Sequence, residues 1–259
     1  MLIYWHLGFQ KTGTTSFQTL LARNSERLEP FLGVFPKGKT TRRLRHACNR
    51  YWSGKDRGQA EADMATAVDQ MIGEARGRGQ SRMLVSDENL IGFRLSPKTG
   101  NLFTRTAELI HLLERVSHDA ECRFSFFTRN FDNWLLSAYN QEVKQVRCRF
   151  GFDEWSRLQN FDHGWDVNIA LIREATTAPI RFDAIEDDAQ SDPFPGAGLL
   201  RYAGVPSDVV SAMELPEREN ESLSPGALDF MLQANRSDLS LESLRTVRAL
   251  VIGQQDVFR

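Results

Sequence analysis

From the N-terminus, the apolar positions fall into two alternating rhythms. Leu2-Ile3-Tyr4-Trp5-His6-Leu7 is a short β-prone run that stops at Gly8, and Phe17, Leu20 and Leu21 then recur at helical spacing. The pattern predicts a strand, a glycine-bearing loop and a helix. After a polar, basic stretch, Ala60 to Ala75 puts Met64, Val68, Met71 and Ile72 on one helical face, and Arg82 to Ser86 reads as a second buried strand. Thr104 to Val116 carries Leu109, Leu112, Leu113 and Val116 at helical spacing, and Cys122 to Thr128 is a third, Phe-rich strand. Helices are predicted from Phe131 to Val146 and from Trp165 to Ala175, then a strand from Ile180 to Phe182. The last third is mostly helical, over Gly196 to Tyr202, Ser224 to Asn235 and Leu241 to Ile252. Buried strands alternating with helices imply an α/β fold, three layers with a central parallel sheet flanked by helices. Without an internal repeat or a linker-like tract, the expectation is one domain over residues 1–259.

Composition narrows the function classes. With 41% hydrophobic and 25% charged residues the chain is of ordinary globular type, and no apolar run approaches the roughly 20 residues that cross a bilayer. The apolar N-terminus lacks a basic flank and a cleavage site, so a cytoplasmic location with no membrane span is expected. A net charge of −2 argues against bulk nucleic-acid binding. Cys48, Cys122 and Cys148 are odd in number and not spaced as C-x-x-C, which suggests ordinary thiols rather than a disulfide framework or a zinc site. Charge is unevenly spread: Lys37 to Arg50 holds Lys37, Lys39, Arg42, Arg43, Arg45, His46 and Arg50 without an acid, whereas Asp183 to Asp192 is rich in carboxylates.

The first loop carries the strongest chemistry. Gly8-Phe9-Gln10-Lys11-Thr12-Gly13-Thr14-Thr15 leaves a strand and opens a helix, where unpaired backbone N–H groups and the positive end of the helix dipole hold anions. The glycines permit the turn, Lys11 supplies charge, and Thr12, Thr14, Thr15 and Ser16 supply hydroxyls. The match to the Walker A pattern G-x-x-x-x-G-K-[ST] is partial, because Thr14 follows the second glycine and the lysine comes earlier. A P-loop nucleotide or small-molecule kinase would want the other order. Asp87, after the second strand, is the residue that leaves such a kinase open, as a Walker B-like metal ligand.

His6-Leu7-Gly8-Phe9-Gln10-Lys11-Thr12-Gly13-Thr14-Thr15 resembles the 5′-phosphosulfate loop of sulfotransferases that use 3′-phosphoadenosine 5′-phosphosulfate, written around P-K-[ST]-G-T-T, with Gln10 in place of the common proline. Arg129-Asn130-Phe131-Asp132-Asn133-Trp134-Leu135-Leu136-Ser137, after the third strand, is similar to the family's 3′-phosphate element, an arginine followed eight residues on by a serine. Ser86-Asp87-Glu88-Asn89-Leu90 and Asn220-Glu221-Ser222-Leu223 resemble segments of bacterial members. The resemblance implies a P-loop-type fold and transfer of a sulfuryl group from that donor to a hydroxyl or amine. Lys11 would neutralise charge on the leaving 5′-phosphate, and Thr12, Gly13, Thr14, Thr15 and Ser16 would fix the donor. Arg129 and Ser137 would read the 3′-phosphate. No metal is expected, because a sulfuryl group carries little charge compared with a γ-phosphoryl group. Glu88 and His46 are the two candidate bases, Glu88 being favoured. The basic segment, with Lys144, Arg147 and Arg149, suggests a cleft for a small-molecule or saccharide acceptor, anionic ones included. A non-catalytic nucleotide-binding protein of the same fold is the remaining alternative.

Overall fold

The computed structural model describes residues 1–92, 101–118, 120–159, 164–187, 192–216 and 222–258. Contacts divide the chain into two compact units, Met1–Asn130 with His163–Arg218, and Phe131–Asp162 with Glu219–Arg259.

The first unit holds β1 (Leu2–His6), α1 (Thr14–Arg23), α2 (Ser25–Leu28), β2 (Gly33–Pro36), α3 (Arg42–Trp52), α4 (Arg57–Gly77), β3 (Arg82–Ser86), α5 (Leu102–Val116) and β4 (Glu121–Thr128). It regains the chain after the first half of the second unit, which contributes α6 (Phe131–Val146) and α7 (Phe152–Gln159), and adds α8 (Gly164–Glu174) and β5 (Ile180–Ala184). The five strands form one parallel sheet in the order β2-β3-β1-β4-β5. Such a sheet is buried on both faces, and the near-continuous apolar runs reflect that. On one side Phe17, Leu20 and Leu21 of α1 pack with Tyr4, Leu84 and Phe127. On the other, Phe126 stacks between Phe9 and Phe182, and Phe9 meets Phe103 of α5 edge-on.

Strand order also locates the chemistry. From β1 the chain turns toward β2, on one side of the sheet, whereas from β4 it reaches β5 on the other. The gap between the carboxyl ends of β1 and β4 is therefore the topological switch point, where open α/β sheets bind ligands. Lys11 follows the one strand and Arg129 the other.

Two elements depart from the pattern reading. The stretch read as polar and basic contains β2 and the eleven-residue helix α3. The strand is four residues long, lies at the sheet edge and ends on Pro36, so it has little alternation to detect and tolerates a proline. In α3 the signal was present but outnumbered: Leu44, Ala47, Cys48 and Tyr51 are its buried face, at helical spacing among arginines.

The second unit is helical. Arg147 and Arg149 donate to the carbonyls of Asn235, Arg236, Ser237 and Leu239, at and just past the end of the helix Pro225–Arg236. Cations near helix C-termini satisfy the last carbonyls. The two arginines that the sequence suggested for an acceptor cleft thus bind the carbonyls at this helix end. Cys48, Cys122 and Cys148 are all buried free thiols. Among the described residues no helix is long and apolar enough to cross a membrane.

Candidate active site at the β1/β4 edge

The loop after β1 is shaped by its backbone. Gly8, Lys11 and Gly13 all have positive φ, at 52°, 70° and 82°. A Cβ on Gly8 would lie 2.6 Å from Thr14 Cγ2, so the position requires glycine. Lys11 is different, because a side-chain-bearing residue in the left-handed region costs about 1 kcal/mol. Alternating backbone hands turn successive N–H groups into one concavity, a nest for an anion. The first bond within α1 runs from Phe17 N to Gly13 O, which leaves the amides of Thr14, Thr15 and Ser16 ahead of the helical ladder. No acid lies in the first turn of α1.

The loop hydroxyls divide. Thr12 Oγ1 donates to Phe9 O at 2.6 Å and Thr14 Oγ1 to the same carbonyl at 3.4 Å, and both residues are buried. These two side chains brace the turn, while Thr15 and Ser16 are exposed. Gln10 donates through Nε2 to Asn89 Oδ1 at 3.3 Å and to Gly92 O at 3.4 Å.

Arg129 comes to the same edge. Its Nη1 donates to the Lys11 carbonyl over a long 3.4 Å, and its Nε lies 4.0 Å from Glu186 Oε1. One aromatic group positions both: Phe9 packs against Trp165, and the Trp165 indole donates to Arg129 O at 2.6 Å. Ser137 belongs to the second unit, half-buried on α6.

The segment after β3 presents two carboxylates in different settings. Asp87 is fully buried: Oδ2 accepts from Thr41 Oγ1 and Arg45 Nη1, each at 2.7 Å, and Oδ1 caps the following turn by accepting from Asn89 N at 3.0 Å. Burial raises its carboxyl above the usual range, with Thr41 and Arg45 opposing. Oδ2 thus carries two hydrogen bonds and Oδ1 one. Glu88, 6% exposed, accepts from Lys37 Nζ at 2.6 Å and from Gln18 Nε2 at 2.7 Å. Gln18 lies one turn into α1, beyond the loop Gly8–Gly13, and also donates to Ser86 O at 3.2 Å, so Glu88 is held against the helix that the loop opens.

Beneath the loop, His6 is wholly buried between Phe17 and Phe127 and shares a 2.8 Å hydrogen bond with Ser86 through Nδ1. Burial pushes its pKa down to about 3, so the ring is neutral. His46 lies elsewhere, exposed in a groove between α3 and α4 with Arg43 and Arg50. Glu88 and His46, paired in sequence as candidate bases, thus occupy different surroundings. The basic segment likewise divides: Lys37 and Arg45 are tied to Glu88 and Asp87. Gln18, Thr41, Arg45 and Lys37 are the supporting residues that motif reading did not single out, since no local spacing links them to the carboxylates they hold. Asn220 and Glu221 of the second supporting motif lie outside the described residues.

No family model matches the chain, and no curated protein matches it. Among solved structures it is similar to a crystal structure of a sulfotransferase from Alicyclobacillus acidocaldarius, at 15% identity over 95% of this chain and 99% of that one, with a TM-score of 0.45.

Proposed function

We propose that this protein is a sulfotransferase, moving a sulfuryl group from 3′-phosphoadenosine 5′-phosphosulfate to a hydroxyl or amine of an acceptor. The observation that carries the reading is the meeting of Arg129 with the lysine-bearing loop at the β1/β4 switch point, 3.4 Å from Nη1 to the Lys11 carbonyl. A nucleotide with anionic groups at both ends of its ribose matches a cradle with two cations on separate strands. The left-handed nest and the amides of Thr14 to Ser16 suit the 5′ group, and a guanidinium suits a phosphate.

The bound donor supplies the sulfuryl group. Lys11 stabilises the charge that develops on the bridging oxygen as the leaving phosphate departs, a task for a preorganised cation. The loop, braced by Thr12 and Thr14 on Phe9 O, holds that geometry without reorganising. In this reading Glu88 takes the acceptor proton; its carboxylate is held beside α1 by Gln18 and Lys37, whereas His46 lies in its separate groove. The kinase alternative is weaker because Thr14, not a lysine, follows the second glycine of the loop.

The test is an acceptor screen with isotopically labelled donor, read by mass for sulfated product. With a working acceptor, Glu88→Gln should lose turnover by about 10²-fold or more while keeping donor affinity, and His46→Gln should not. A Glu88→Gln protein with undiminished turnover would remove that residue from the mechanism.

A further inference from the structure

The groove between α3 and α4 is a second feature with the makings of a binding site. The two helices form an antiparallel pair, and residues seven apart bridge the seam at either end: Arg43 Nη1 donates to Gln70 Oε1 at 2.8 Å, and Arg50 pairs with Asp63. Between those bridges the floor is Ala47 and Ala67, both buried, and short side chains there leave an open cavity of about 620 Å³. That volume is within the usual range for small-molecule sites. His46 and Thr66 stand exposed at its middle, one from each helix. Thr66 donates its hydroxyl hydrogen to Ala62 O, which leaves the oxygen facing outward as an acceptor.

The charge in this groove is not cancelled. Arg43 rests on a neutral amide, whereas Arg50 is balanced by Asp63. Among the residues lining the groove the balance is one net positive charge with His46 neutral, from Arg43 and Arg50 against Asp63. No large apolar side chain lines it, so it has little to offer a lipid or an aromatic drug-like molecule. An amide, an alcohol, a carboxylate and a surplus guanidinium in one trough suit a ligand with many hydroxyls and one anionic group.

We propose that the α3–α4 groove binds an acidic sugar, with Arg43 on its carboxylate or sulfate and His46, Thr66 and Gln70 on its hydroxyls. This goes beyond sulfuryl transfer and is tested without donor. The full chain, labelled with ¹⁵N, is titrated with glucuronate, with glucose as the neutral control, and backbone and arginine side-chain signals are followed. Shifts are expected at Arg43, His46 and Arg50, with at least tenfold weaker binding of glucose and an affinity for glucuronate that falls as salt is raised. The exposed-site variant Arg43→Gln/His46→Gln should weaken glucuronate binding at least tenfold, and Thr66→Tyr, which fills the trough and keeps its charge, should do the same. Equal binding of glucose and glucuronate, shifts confined to Gly8–Ser16, or full affinity in both variants would overturn the assignment. None of those results bears on whether labelled donor yields sulfated product.

Discussion

The cations of one basic segment meet opposite circumstances on two sides of the same helix. Arg45, with Lys37 just ahead of α3, is committed to carboxylates beside the sheet: Arg45 to the fully buried Asp87 and Lys37 to Glu88. Arg43 and Arg50, at nearby positions, face the α3–α4 groove, and Arg50 pairs with an Asp63 that keeps 41% of its side chain exposed. The two settings have different energetics. A buried carboxylate held by a guanidinium, a hydroxyl and an amide cannot lose its partners cheaply, whereas an exposed ion pair gives up little. Charge that looks uniform in the sequence is thus split into a structural share and a surface share by the two-residue step from Arg43 to Arg45, about 200° of helical rotation.

The largest break in that comparison is Asp87→Ala. Removing the carboxylate strands Arg45, Thr41 and the Asn89 amide, and should cost about 3–5 kcal/mol in denaturant unfolding. A loss below about 1 kcal/mol would show that the buried network is dispensable. Next is Arg129→Ala, expected to weaken binding of adenosine 3′,5′-bisphosphate by about 1.5–3 kcal/mol in calorimetry with little change in stability. Unchanged affinity would remove Arg129 from the donor site.

A smaller effect concerns pH. The buried His6 has its pKa lowered to about 3, so between about pH 6.5 and that value the unfolded chain binds a proton that the folded chain refuses. Stability from this group is full above about pH 6.5 and falls by about 1.4 kcal/mol per pH unit below it. Asp87 acts in the opposite sense, since a carboxyl raised by burial takes up its proton more readily when folded. His6→Asn should therefore unfold with a flatter dependence on pH between 6.5 and 5 than the parent protein, as urea midpoints will show. An equal slope would mean that His6 accepts a proton in the fold. The smallest expected effect is Asp63→Ala, the surface counterpart of the Asp87 change, which should leave the urea midpoint essentially where it is in the parent protein.

How much of this was legible in the sequence follows from where the information is local. The elements β1, β3, β4 and α6 were readable because unbroken apolar runs or a steady helical period mark them. The helix α3 was hidden because its arginines outnumber Leu44, Ala47, Cys48 and Tyr51, and β2 because an edge strand of four residues has almost no pattern. At the site, Lys11, Arg129 and Glu88 could be picked out by their positions after strands. Their supports could not. Gln18 reaches Glu88 across 70 residues and Arg45 reaches Asp87 across 42, and such pairs exist only once the parallel sheet has set β1, β2 and β3 side by side. The division of chain into two discontinuous units was likewise unmarked, since no change of composition accompanies it.

The most direct measurement is a thermal unfolding series in a metal chelator. If the edge between β1 and β4 is a cradle for a doubly anionic adenylate, adenosine 3′,5′-bisphosphate should raise the midpoint in a dose-dependent way, and Lys11→Ala and Arg129→Ala should each blunt the rise. ATP with Mg²⁺ should do little by comparison. Stabilisation by ATP with Mg²⁺ and none by the bisphosphate would contradict the account.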